Sequence, residues 1–108
     1  MDIKRQDLID AIRSFNQQMD WDKFHSPENL AKSISIEAGE LLECFQWSDK
    51  YNIDDVTEEV ADVYTYILML ADKLDLDLDR IALAKLEKTK SKYPVDKFKG
   101  ISTKYNKL

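Results

Sequence analysis

Two short acidic units carry the chemistry that this sequence can support. Glu37 and Glu40 form E-x-x-E, Glu59 and Asp62 form E-x-x-D, and 18 residues separate the two. Side chains three apart on a helix share a side, with Cβ atoms about 5–6 Å apart, so each unit offers two carboxylates to one point. Their surroundings set them apart from ordinary surface acids. Leu30, Ile34 and Leu41 recur at the helical repeat, and Glu37 falls on their face. Glu59 likewise falls inside the arc of Val56, Val63 and Leu70, with Asp62 on its shoulder and Tyr66 one turn beyond. Two carboxylates about 6 Å apart repel by roughly 3 kcal/mol at an effective dielectric of about 20, and four of them multiply that cost. Half-buried, such a cluster takes up protons, unfolds the protein or binds a divalent cation. Oxygen ligands without sulfur or imidazole suit Mg²⁺ or Mn²⁺, which keep positions open for water and phosphate oxygens. Solvation is the competing reading. In a chain with 21 acidic residues, pairs at this spacing arise often, and Glu43, Glu58 and Asp72 read as solvated. A di-iron carboxylate centre needs E-x-x-H units, and the single histidine, His25, lies outside both helices.

For the four carboxylates to meet, their two helices must form an antiparallel pair. The apolar periodicity predicts four helices. The first spans about residues 3–19, with Ile3, Leu8, Ile12 and Phe15 as its stripe. Asp20 to His25 breaks the period, and Ser26-Pro27 supplies an N-cap followed by proline at the first helical position. The second helix runs to about Trp47. After a polar link at residues 48–52, Asp54 or Asp55 is expected to cap the third, which continues to about Leu74. Aspartates at 75, 77 and 79 suit the start of the fourth, which ends near Tyr93-Pro94. Residues 95–108 read as an irregular, basic tail. On the third helix Val56, Val60, Val63, Ile67, Leu70 and Leu74 form the expected core stripe. Tyr64, Leu68, Met69 and Ala71 extend apolar character most of the way round. A helix apolar on nearly all sides is buried by several neighbours, which in a chain of 108 residues predicts an obligate homo-oligomer, a dimer or a tetramer.

Composition narrows the functional classes. Two glycines and two prolines leave little material for turns, which fits an all-α single domain over residues 1–108. The net charge of −5 divides into an acidic part, with 7 basic and 19 acidic residues up to Asp79, and a basic end with 9 and 2. An acidic body argues against broad nucleic-acid binding. No apolar run approaches a membrane span, residues 1–5 do not resemble a leader, and Cys44 is the only cysteine. The expectation is a cytoplasmic protein with neither membrane nor nucleic acid as partner.

The whole pattern resembles the all-α nucleoside triphosphate pyrophosphohydrolases of the MazG type, and within them the small dCTP pyrophosphatase-like branch. The resemblance rests on the E-x-x-E and E-x-x-D units together with DWDKFHSPENL (residues 20–30), GELLECFQW (39–47) and EEVADVYTYI (58–67). AKLEKTKSKYP (84–94) and STKY (102–105) extend it, so that it covers most of the chain. It implies a four-helix MazG-like bundle completed by oligomerisation. It also implies Mg²⁺-dependent hydrolysis of a nucleoside triphosphate between the α and β phosphorus atoms, giving monophosphate and pyrophosphate. Glu37, Glu40, Glu59 and Asp62 match the metal ligands and catalytic acids of that family. Trp21, His25, Trp47 and Tyr66 match positions near the nucleotide, and Lys85 matches a phosphate-binding lysine, with Lys88 and Lys92 on the same side. For these aromatic residues the plainer reading is core and interface packing, and for the lysines a solvated surface. Two positions depart from the pattern. Thr89 stands where the family often has asparagine, and Ile12 where related dCTP enzymes have a histidine near the base. The resemblance thus makes dCTP the first substrate to try, with dUTP or an oxidised or methylated nucleotide as the alternative. A non-catalytic helical oligomerisation module is the rival from another class.

Overall fold

A computed structural model describes residues 2–107, as two compact units that divide after Leu76. The first holds three helices: α1 (Arg5–Gln18), α2 (Pro27–Gln46) and α3 (Ile53–Lys73). The second holds α4 (Leu78–Lys92) and the single-turn α5 (Val95–Phe98). No strand occurs among the described residues. All four predicted helices form, and the architecture is all-α.

Local chemistry explains the boundaries. Ile3 lies outside α1 and is 77% exposed, so the predicted stripe loses its first member. At the other end Asp20 adopts φ +56°, and Trp21 N–H reaches back to the Asn16 carbonyl at 2.9 Å. This left-handed turn closes α1 in the way glycine usually does. Ser26 Oγ accepts from Asn29 N–H at 3.2 Å, with Pro27 opening α2 as expected. The Asn29 side chain donates to the Phe24 carbonyl at 2.9 Å, which ties the short 3-10 turn (Asp22–Phe24) to the start of α2. The cap of α3 differs from expectation. Asn52, not Asp54 or Asp55, caps it, accepting from the N–H groups of both aspartates at 2.9 and 3.1 Å. Asparagine is as good a cap as aspartate, and its position frees both acids to meet the positive end of the helix dipole. Asp77 caps α4 through Arg80 N–H at 3.1 Å.

The first unit is built on α3, which packs extensively on α2 and more lightly on α1. Its centre is Leu30, Leu68 and Ala71, at 0%, 1% and 5% exposure. Each buried leucine contributes about 1.5–3 kcal/mol of hydrophobic stabilisation. This corrects the expected core stripe. Val60 and Leu74 are about half exposed, whereas Leu68 and Ala71, assigned to the flank, are the buried pair. Ile36, Leu42 and Phe45 on α2 and Tyr64 on α3 also remain exposed. No helix among the described residues is long and apolar enough to cross a membrane.

In the second unit Tyr93 meets Phe98 edge to face at 4.8 Å, and Phe98 is the buried residue of α5. Gly100 follows at φ +77°, a conformation that side chains other than glycine rarely adopt.

Candidate metal centre and adjoining cleft

Glu40 lies six residues before the end of α2, and Glu59 lies six residues after the start of α3. Glu37 and Asp62 are each three residues further from the connection. In a helical hairpin these positions face one another, and the structure brings them together. One carboxylate oxygen from each of Glu37, Glu40, Glu59 and Asp62 lies within 4.8 Å of all the others. Glu37 and Glu59 are half-buried, whereas Glu40 and Asp62 are exposed.

The electrostatics are those of a crowded, under-compensated site. Burial pushes the Glu37 carboxyl up from 4.5 to about 7, helped by a hydrogen bond to Glu40 and by the charges of Glu40, Asp62 and Glu59. Glu59 is raised as well, by burial first and then by the charges of Glu40 and Asp62. Each of Glu37 and Glu59 keeps one buried carboxylate oxygen (Oε2) without a hydrogen-bond partner among the described residues. Buried acceptors without donors are costly. Four oxygen ligands around one point, two with orphaned oxygens, fit a hard divalent cation. Cys44 Sγ lies 3.8 Å from the Glu40 carbonyl, but burial and the charges of Glu59 and Asp55 push its thiol up. It is not among the side chains that converge, and the donor set is all oxygen.

A cleft between α1, α3 and the turn before α2 adjoins the cluster. Its two lobes, of about 400 and 360 Å³, share Ile12, Asn16, His25 and Met69. These volumes fall in the range of about 300–1,000 Å³ usual for small-molecule sites. The smaller lobe is lined by Trp21, His25 and Tyr66 and also by Asp62, so it opens directly beside the carboxylates. Phe15 holds Trp21 edge to face at 5.4 Å. His25 Nδ1 is buried with no hydrogen-bond partner among the described residues.

Three of the four nucleotide-site residues expected from the sequence thus line one lobe together with Asp62. Trp47 does not; it is 82% exposed beyond α2 and lines neither lobe. Lys85 is exposed on α4, in the second unit. Thr89, half-buried one turn later, donates its hydroxyl to the Lys85 carbonyl at 3.1 Å.

Two features escaped the sequence reading. Asp72 is not a solvated acid. Arg13 Nε donates to its Oδ2 at 2.8 Å, and a second guanidinium N–H reaches Oδ1, joining α1 to α3 beside the larger lobe. The guanidinium holds the Asp72 carboxyl below its usual range. The partners are 59 residues apart, and no local spacing announces such a pair. The other feature is Asn16, the one buried polar side chain of the described residues. It stands one turn after Ile12 and two after Leu8, so the periodicity of α1 does contain the signal: an amide in the apolar stripe.

Comparisons with known proteins identify the family. Residues 32–108 match the MazG-like family. The dCTP pyrophosphatase 1 of Rattus norvegicus is 33% identical over 113 residues, an alignment covering 95% of this chain and 66% of that protein. The Bos taurus and Homo sapiens proteins of the same name are each 32% identical, with 67% and 66% of their lengths covered. The chain therefore spans about two thirds of the length of these relatives. The crystal structure of a pyrophosphatase from Archaeoglobus fulgidus matches with a TM-score of 0.76 at 38% identity, over 87% of this chain and 95% of that one. With the acidic hairpin in place and these matches along most of its length, the chain belongs to the MazG-like family of all-α nucleoside triphosphate pyrophosphohydrolases.

Proposed function

We propose that this protein hydrolyses a deoxynucleoside triphosphate, dCTP or a modified dNTP first, to the monophosphate and pyrophosphate, and so removes surplus or non-standard nucleotides in the cytoplasm. The observation that carries this reading is the convergence of Glu37, Glu40, Glu59 and Asp62 beside a cleft that Asp62 also lines. These four residues would hold Mg²⁺, with Mn²⁺ the alternative ion. When bound, the ion neutralises the polyphosphate and lowers the pKa of the attacking water. The remaining work falls to the chain's own groups. The indole of Trp21 and the phenol of Tyr66 offer flat walls for a base or sugar, and His25 a polar edge beside them. Lys85 on α4 is assigned to phosphate, with Lys88 and Lys92 as further cations.

The reading includes assembly. Trp47, matched by resemblance to a nucleotide-site position, stands 82% exposed just beyond α2, and Ile36 and Leu42 on that helix are 61% and 65% exposed. Large apolar side chains left open on α2 are the surface expected of a protomer in a homodimer or homotetramer. Residues 1–108 are then one MazG-like domain. One observation favours a second base preference. Ile12, which lines both lobes, offers no hydrogen bond to a base, and dUTP or an oxidised nucleotide is the alternative substrate.

The test is pyrophosphate release from a panel of canonical and modified dNTPs with Mg²⁺. Wild type is expected to turn over at least one of them, and Glu59→Gln to abolish release while its helical circular dichroism is retained. Wild-type activity in Glu59→Gln would remove the carboxylates from the mechanism. A non-catalytic module would show neither turnover nor a thermal shift with Mg²⁺ and a non-hydrolysable nucleotide. A ligand at 100 Kd should stabilise the enzyme by about 2.7 kcal/mol.

A further inference from the structure

Helix α2 carries a stripe that its packing on α3 leaves open. Ala31, Ser35, Ala38, Leu42 and Phe45 recur at alternating spacings of four and three residues, and all five are exposed. That spacing keeps them in line along the helix, as in the seam of a coiled coil. At about 100° per residue, the stripe runs beside the buried or half-buried side made by Leu30, Ile34 and Leu41. It points away from Glu37 and Glu40, and so lies outside the carboxylate site.

Three observations say what covers it. The first is size. The N-terminal half of the stripe is small, with Ala31 and Ser35, and the C-terminal half is bulky, with Leu42 and Phe45. Laid against the same stripe running the other way, Phe45 meets Ala31, Leu42 meets Ser35, and Ala38 meets its own copy. A parallel pairing would crowd the bulky ends together and leave a void at the small ends, and close-packed interfaces tolerate neither. The second is charge. Lys32 and Glu43 are exposed on the outer flank of the stripe, and the same reversal sets each against the other, twice by symmetry. The third is Gly39, on that flank beside Ala38 in the middle of α2. Glycine inside a helix is unfavourable relative to alanine. Nothing in this chain requires it, since a Cβ there would meet no atom within 4 Å. A second helix crossing at this point does, because bare backbone lets two helices approach closely.

We propose that this stripe is a two-fold interface with a second copy of this chain, the two α2 helices running antiparallel and crossing at Ala38. The proposal rests on the assembly included in the reading above, and adds to it a face, a direction and a register. It is independent of the nucleotide and of the metal.

The experiment combines sedimentation velocity with cross-linking by a short bis-maleimide, using the full chain with Cys44→Ser to remove the native thiol. The Ala38→Cys variant, on the two-fold axis, is expected to cross-link to itself. The Ala31→Cys variant is not, because antiparallel helices crossing at residue 38 separate its two copies by about 14 residues, or about 21 Å. Mixing the Ser35→Cys and Leu42→Cys variants is expected to give the mixed product. In wild type, Lys32→Glu should raise the dimer Kd by roughly 2- to 30-fold, the effect of losing two exposed ion pairs. Adding Glu43→Lys to it should restore the affinity, which a merely structural role would not do. Ala38→Arg should sediment as the smaller species with its helical circular dichroism retained; if it does not fold, the cross-links decide. Cross-linking of both the Ala31→Cys and Ala38→Cys variants overturns the antiparallel register. An oligomer without a cross-link at position 38 overturns the interface and leaves assembly in place. A monomeric wild type overturns both, while pyrophosphate release separately decides the hydrolytic activity.

Discussion

Glu37 should make the metal-free protein less stable as the pH rises through neutrality. Its carboxyl is pushed from 4.5 to about 7 by burial and by Glu40, Asp62 and Glu59, so the folded state holds this proton more tightly than the unfolded chain does. The stability contributed is fully present below about pH 4.5 and is lost as the pH passes 7. The ceiling is about 3.4 kcal/mol, from 1.36 kcal/mol per pH unit. Partial exposure of the side chain screens it, leaving about 1–2 kcal/mol. At about 4–8 °C per kcal/mol for a domain of this size, Tm should be roughly 5–15 °C lower at pH 8 than this group alone would leave it at pH 4.5. The assay is thermal unfolding in EDTA across pH 4.5–8 for wild type and Glu37→Gln. Glutamine keeps the shape and cannot ionise, so the difference between the two curves isolates Glu37 from every other carboxylate. The variant should match wild type at pH 4.5 and exceed it at pH 8. Adding Mg²⁺ at pH 8 should raise Tm in wild type and leave Glu37→Gln nearly unmoved. Parallel curves in EDTA would refute the reasoning, because four acids confined within 4.8 Å could not then be crowded in solution.

Three further outcomes follow from the packing. Leu68→Ala, at 1% exposure, should cost about 2–5 kcal/mol by chemical denaturation. Asp72→Asn should lower Tm by about 2–5 °C at neutral pH by weakening the Arg13 pair. Since that pair holds the Asp72 carboxyl down, the deficit should begin to shrink as the pH falls below the ordinary aspartate value of 3.8 and vanish only once it has passed the lower value of the folded state. Asp75→Gly should stabilise the protein by about 0.5–1 kcal/mol, because Asp75 closes α3 at φ +54° where glycine carries no steric penalty.

The acidic quartet was legible in the sequence because two periodicities collide there. The i, i+3 spacing of Glu37 with Glu40 and Glu59 with Asp62 is local, and so is the apolar arc that Glu37 and Glu59 interrupt. Ser26-Pro27 and Asp77 were legible for the same reason, as each acts within one helical turn. What stayed hidden depends on distant partners. Asp72 has the same immediate context as a solvated acid, and only the approach of α1 gives it Arg13. The burial of Leu68 and Ala71 in place of Val60 and Leu74 reflects the side of α3 that faces Leu30 and α1, which the near-uniform apolar character of α3 conceals. Asn16 was visible as a break in the α1 stripe, but a single amide one turn after Ile12 reads as noise until a cavity is found around it.

The placement of the two tryptophans gives the molecule an optical property of its own. Trp21 sits against Phe15 in the cleft wall at 40% exposure, while Trp47 projects beyond α2 almost wholly into solvent. Two indoles in such different surroundings emit at different wavelengths and meet soluble quenchers at different rates. Filling the cleft would perturb the bluer emitter, and covering the far end of α2 would shift the redder one, so the two events would register as separate spectral changes without any dye attached.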